Sequence, residues 1–443
     1  MCKSAIALVA LCLLLSSCAA KKPPEAPPRP LYAGHTATLD ITNGIRVVGS
    51  IALPRGFTPN PEWPPMWLAQ GMEIGVAGTL DDKTVVLGLG GADLTKLTTI
   101  ARDFGPGAPG GRILDVAASP DGMELAIAVA EPAANRLDLR LIDSISGGEG
   151  HSVASFDGNY RVASLNWLDS TTVAMVIQAP TESTASADAT ASPGGLYVIG
   201  ITGLGSITHF DKLRCRLGHL RFSPDRRFAV SEGDQDAAPA ILDLRAQACA
   251  GIGSNAPIRA LGWASDSAAF LYAAIDRDVG KLGVFRFTLA TGQRALVAVS
   301  SASAAYASDG TTVAMGNSQL SWKRIARDPN APVKAEIALF SPQTAQVTIN
   351  SLGFQTPPAM LAQSAMVFTT ASDSAALDAF VPVPGGILRE LIDYSYPSRS
   401  AFVLASGPAR GPLIMSWSAN GRALAIIDGD ASLAMLTVLV PPR

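Results

Sequence analysis

Short apolar runs alternate with tight polar turns along most of the chain. One unit keeps recurring: an apolar run, a turn such as Ser119-Pro120-Asp121-Gly122, then a second apolar run. Aligned on the residue before the turn, the copies fall at Trp67, Ala118, Trp167, Phe222, Trp263, Tyr306, Leu361 and Trp417, spaced 41 to 56 residues apart. The copy at Leu361 is the weakest, having lost the Asp-Gly. In the full turn, proline fixes φ, aspartate bonds the local backbone and glycine accepts positive φ. Apolar runs of strand length around such a turn predict a β-hairpin.

After most copies a third strand is expected, at 137–143, 195–201, 240–245, 283–289 and 336–341, and a weaker fourth at 151–156 or 294–299. Four strands about every 50 residues make a propeller blade. The expectation is therefore an all-β chain forming a single β-propeller. Eight four-stranded blades fit the repeats, with seven as the alternative if one copy has decayed. The last copy supplies only three strands, through 432–440, and the β-rich segment 36–53 can supply the fourth. That pairing joins the two ends and hides an edge that would otherwise template aggregation. The turns Ser119-Pro120-Asp121-Gly122, Ser223-Pro224-Asp225 and Ser308-Asp309-Gly310 resemble the Pro-Asp, WD40-like repeat of TolB-type propellers. The likeness runs through nearly all of the chain after residue 60. It implies the fold and is almost silent on function.

Composition adds an address. Lys3 precedes an apolar run from Ala5 to Leu15, the length of a signal-peptide core and too short to span a bilayer. It ends in Leu15-Ser16-Ser17-Cys18, which resembles a bacterial lipobox. That resemblance implies a signal peptide over 1–17, lipid on Cys18 and, with Ala19 next, sorting to the outer membrane, facing the periplasm. Five prolines between 23 and 30 predict an extended tether over 18–35, leaving 36–443 as the propeller. Net charge is −3, without the strongly basic face that nucleic acid favours. Cys215 and Cys249 remain as an even pair in an oxidising compartment. A disulfide between them is open, although the strand assignments place them at opposite ends of different strands.

Candidate chemistry lies on the loops. Segment 179–195 is rich in Ser, Thr and Ala and reads as unstructured. Segment 321–336 carries Trp322, Lys323, Arg324 and Arg327, a mix that suits a protein interface. Acidic groups Glu232/Asp234/Asp236, Asp276/Asp278 and Asp428/Asp430, with Asp81-Asp82, suggest turn-capping carboxylates, a calcium site or a rim that attracts a basic partner. No Gly-x-Ser-x-Gly elbow occurs, and no His/Cys/carboxylate group has metal-ligand spacing. His219 reads as a channel-lining residue or a satisfied core or rim residue. The sequence thus points to a non-catalytic, cofactor-free scaffold that binds other envelope proteins and is held to the membrane by lipid. A carbohydrate- or small-molecule-binding propeller, even a hydrolytic one, with its site at the channel mouth is the alternative.

Overall fold

Three of the polar turns are held by their own first residue. Ser119 Oγ donates to Asp121 Oδ1 at 2.6 Å and accepts the Glu124 amide at 3.0 Å. Asp121 Oδ1 in turn accepts the Met123 amide at 3.1 Å. Ser223 with Asp225, and Ser418 with Asn420, build the same turn. Gly122 sits at φ +70°, and a Cβ there would lie 2.5 Å from the Trp67 carbonyl oxygen, so only glycine fits.

The computed structural model describes residues 39–441 except 91–93, 104–110, 149, 179–193, 203–204, 234–237, 255–256, 265, 277–280, 300–303, 307–312, 317–332, 342–345, 357–365, 369–373, 384–385, 396–399, 409–412 and 431. Among the described residues the strands form eight antiparallel sheets. In the second sheet the order is Arg112–Ala118, Glu124–Glu131, Arg136–Asp143 and His151–Asp157, each strand pairing with the next. The other sheets follow the same meander, and the first strands of successive sheets neighbour one another. Antiparallel order gives every sheet the same polarity. First strands start, second strands end, third strands start and fourth strands end at one face, here called the mouth face. The polar turns between first and second strands lie at the opposite, turn face.

Apolar side chains pack between sheets. Leu68, Ala77, Val86 and Ile100 of the first sheet meet Ile113, Val116, Leu125 and Ile127 of the second. Ile74, Val76 and Leu87 of the first sheet also meet Ile414, Ala425, Ile427 and Leu436 of the last. The tryptophans before the turns add a directional contact. Trp167 Nε1 donates to the Ala117 carbonyl of the preceding sheet at 2.9 Å, and Trp263 Nε1 to Arg221 at 3.0 Å. Trp67 makes the equivalent contact with Ser416 of the last sheet at 3.4 Å. In each pair the acceptor is one residue before the aligned position of the neighbouring copy. Trp167→Phe keeps the ring packing and loses the donor, so it should lower folding stability by about 1 kcal/mol in urea denaturation with an unchanged m-value.

The N-terminal segment lies on the last two sheets. Asp40–Ile41 pairs with Ser400–Pro408 as a fifth strand of the seventh sheet. Arg46–Ala52 pairs with Leu433–Val440, Val47 opposite Leu439 and Ala52 opposite Met435, as the fourth strand of the last sheet. One repeat sits later than the sequence places it. The seventh hairpin joins Met366–Phe368 to Ser374–Val383, with Phe368 opposite Ala375, so the copy aligns on Phe368 and not Leu361. The preceding fourth strand, Gln346–Thr356, is 11 residues long and pushes the hairpin onward.

Cys215 and Cys249 are joined by a disulfide, with Cα atoms 6.1 Å apart. Strand assignment alone argued against the contact, because it placed Cys215 at a strand end. Cys215 lies instead in the connection between the third and fourth sheets. That connection passes along the outer strand Ala248–Gly251 before it turns inward to Leu220–Phe222. The cysteines are 34 residues apart, and closing a loop of that size stabilises by about 3–4 kcal/mol. Cys215→Ser with Cys249→Ser should therefore lower stability by that amount, read by chemical denaturation against the oxidised parent.

Candidate functional site at the channel mouth

The connections that deliver first strands to the axis bring polar side chains together at the mouth face. Trp63 lies in the connection before Met66–Leu68, where its amide bonds the Asn60 carbonyl at 3.0 Å. Its indole Nε1 donates to Asp115 Oδ1 at 3.1 Å. Asp115 belongs to the first strand of the second sheet, where the register shifts between Ile113 and Asp115. A bulge of this kind re-aims side chains. Burial pushes the Asp115 carboxyl up to about 6. The Val116 amide, the Trp63 indole and the nearby His219 pull it back, while Glu62 adds to the rise.

His219 precedes the first strand of the fourth sheet. Its Nδ1 lies 3.2 Å from Glu232 Oε2, leaving Nε2 as the ring's other nitrogen for an incoming group. Glu232 follows the second strand of the same sheet, and its Oε1 accepts the Ala260 amide of the fifth sheet at 2.8 Å. Arg221 Nε is 3.9 Å from the same carboxylate. Burial raises the Glu232 carboxyl, but the hydrogen bond and charge of His219, with Arg221 and the Ala260 amide, outweigh it and hold the group below its ordinary value. The His219 side chain is 40% exposed.

The segment carrying His219 is tightly held. Its Gly218 amide donates to Ser231 Oγ at 2.8 Å, and the Leu220 amide donates to Ser164 Oγ of the third sheet at 3.1 Å. A Cβ on Gly218 would sit 3.1 Å from the Gly233 backbone. The disulfide at Cys215 anchors the same segment from outside. The mouth thus presents a carboxylate-oriented histidine, an arginine, an indole and a carboxyl raised by burial, from three sheets.

The sequence-expected sites fare differently. Cys18, Trp322, Lys323, Arg324, Arg327, Asp234, Asp236 and Asp278 lie outside the described residues. Asp276 and Asp430 end strands, but their side chains also lie outside what is described. Asp428 is a correction: it is buried and is no rim ligand. Its Oδ1 is 3.1 Å from Arg389 Nη1, because the side chain points into the seam between the last two sheets. Asp81 and Asp82, at φ 51° and 59°, form the two-residue hairpin between Glu73–Leu80 and Lys83–Gly90. Among the described residues no group of three or more His, Cys, Asp or Glu side chains is placed to hold a metal ion.

No family model and no curated protein matches the chain. Solved structures do match. A Dos1 propeller is similar at 8% identity and TM-score 0.55, over 90% of this chain and 95% of that one. The propeller domain of Cps50 (Swd1) from Myceliophteria thermophila matches at 11% identity and TM-score 0.45, over 90% and 100%. An oligogalacturonate lyase from Vibrio parahaemolyticus matches at 10% identity and TM-score 0.47, over 90% and 98%. At these identities the likeness concerns the fold alone: the chain is a β-propeller.

Proposed function

We propose that this chain is an eight-bladed, TolB-like propeller lipoprotein, lipidated at Cys18 and held at the outer membrane on the periplasmic side. In this reading it works as a non-catalytic scaffold that docks another envelope protein on its mouth face. The observation that supports docking is the assembled mouth, where Trp63, Asp115, His219, Arg221 and Glu232 from three sheets are fixed by hydrogen bonds and ion pairs. A pre-organised surface with indole and guanidinium groups is the chemistry of protein interfaces. Trp322, Lys323, Arg324 and Arg327, from a loop between second and third strands, would extend the same face.

The test is crosslinking in native cells, then capture through a C-terminal tag and mass spectrometry. One or two stoichiometric envelope proteins, lost when residues 321–332 are replaced by Gly-Ser or when His219→Ala and Arg221→Ala are combined, are expected. Capture without a partner sinks the scaffold reading. It would favour a soluble ligand at the mouth, for which the Glu232-oriented His219 beside Asp115 is the natural starting point.

A further inference from the structure

We propose that the mouth face receives an acidic peptide segment of the docked protein, whose side-chain carboxylates engage an arc of arginines on the second to fifth sheets. The inference rests on the docking reading above and deepens it by naming the chemistry of the partner. Strand polarity carries it. First strands start at the mouth, and in these four successive sheets they open on Arg112, Arg161, Leu220-Arg221 and Arg259. All four arginines are exposed. In the other sheets the first strand opens on Met66, Ala304, Met366 or Ile414, so at this position the charge is confined to the four neighbours.

The fold holds the centre of the arc. Arg161 Nε donates to Gln178 Oε1 at 3.0 Å, and Gln178 Nε2 donates to the Leu217 carbonyl, which ties this arginine to the segment carrying His219. Arg221 Nε lies 3.9 Å from Glu232 Oε1. A guanidinium offers a planar fork of donors matched to a carboxylate, and an oriented fork loses less freedom on binding. The arc also sets the size of the ligand. The first strands of these sheets neighbour one another, and packed sheets lie about 10 Å apart, so three steps span roughly 30 Å at most. No single carboxylate or phosphate bridges that distance. An extended chain of about nine residues does, at ~3.3 Å per residue.

Acids in the same mouth select among polyanions. Asp115 and Glu232 stand on two of the same sheets, and Glu62 bears on Asp115 from the first. A polymer charged at every unit would meet these carboxylates with repulsion. A peptide alternates acidic side chains with backbone N–H donors, which carboxylates accept. A flat anionic membrane fits less well for a second reason. Headgroups attract clustered cations, but the exposed charges farther out on this face are mixed, Asp81, Asp82 and Asp157 against Arg55 and Arg102.

The experiment measures fluorescence anisotropy on the full-length protein in non-ionic detergent, with a labelled peptide of five Glu-Gly repeats as the probe. Binding is expected at low salt and should weaken as salt rises. Arg112→Gln combined with Arg259→Gln is expected to weaken it about tenfold or more, whereas Arg226→Gln with Arg227→Gln, on the turn face, should leave it unchanged. No binding, equal binding of a Gln-Gly peptide, indifference to the mouth substitutions, or stronger competition from phosphatidylglycerol in the micelles or from a uronic-acid oligosaccharide would each overturn the proposal. Capture from native cells separates the two layers of the argument. A partner retained equally by wild type and by Arg112→Gln with Arg259→Gln refutes the arginine site and leaves the scaffold standing. Peptide binding with no partner captured by the wild type refutes the scaffold itself.

Discussion

Replacing Arg389 with methionine is expected to destabilise the protein by about 3–5 kcal/mol at pH 8, the loss typical of breaking a buried ion pair from one side. Arg389 is 2% exposed, with Nε 3.0 Å from Asp378 Oδ1 and Nη1 3.1 Å from Asp428 Oδ1. It joins the second and third strands of the seventh sheet to the second strand of the last. Methionine fills much of the volume but leaves two buried carboxyls facing each other. Burial already pushes the Asp378 carboxyl up to about 7, with Asp428 adding repulsion and Arg389 opposing both. Relative to its ordinary value of 3.8, Asp378 therefore favours the folded state in acid. Its contribution is fully present below pH 3.8 and is lost as pH rises through about 7, because the unfolded chain releases the proton first. Denaturation from pH 4 to 8 should show this decline, and Asp378→Asn should flatten it. The Arg389→Met deficit should be smaller at pH 5, where the carboxyls can take up protons. A deficit below 1 kcal/mol at pH 8 would mean that the seam tolerates the unpaired acids.

Removing residues 1–53 is expected to abolish the soluble monomer, whereas removing 1–38 should leave the fold intact. The longer deletion takes away Arg46–Ala52 and exposes Leu433–Val440 as an edge. It also removes buried Leu39 and Leu53, with the partly buried Ile41, Ile45, Val48 and Ile51 that pack on the same clusters. At roughly 1.5–3 kcal/mol for each fully buried leucine, plus the ladder, the loss is on the order of 5–10 kcal/mol. That approaches the whole stability of a typical domain. Light scattering and soluble yield read the outcome, and a peptide spanning 36–53 added in trans should restore part of it. A well-folded monomer lacking 1–53 would show that the strand is decoration.

Strands and turns were legible because their cause is local. Ser119, Asp121 and Gly122 close a turn with atoms from within the turn itself, so the pattern survives in the letters. The copy at Phe368 was misplaced because its spacing depends on the length of the strand before it, which no local pattern announces. The disulfide stayed open because Cys215 sits in a crossing connection, whose path is set by tertiary packing. Asp428 reads as a surface acid by type, and only the seam with Arg389 shows otherwise. The mouth was legible only in part, for the same reason: His219 read as a possible channel lining, but nothing local ties it to Trp63 or Asp115. Trp63, Asp115, His219 and Glu232 are far apart in sequence, and each alone is unremarkable. The faint signal was Glu232 ending an apolar strand opposite His219.

The tryptophan contacts also set an order of events. Trp167 and Trp263 reach back to carbonyls that precede them, so a chain growing from its N-terminus has each acceptor in place before the donor arrives. Trp67 is the exception, because its acceptor lies 349 residues ahead. Ser50 likewise waits for Thr437, whose hydroxyl it meets at 2.8 Å across a separation of 387 residues. Closing so long a loop costs about 2 kcal/mol more than joining neighbours about 50 residues apart, since each doubling of length adds ~0.6 kcal/mol. If that difference falls in the transition state, pairing of Arg46–Ala52 with Leu433–Val440 is roughly 30-fold slower than pairing between neighbouring repeats. During the wait, Arg46–Ala52 is available to any chain that offers an uncovered final sheet. Protein concentration during folding therefore decides whether the strand pairs within its own chain or is exchanged with a neighbour.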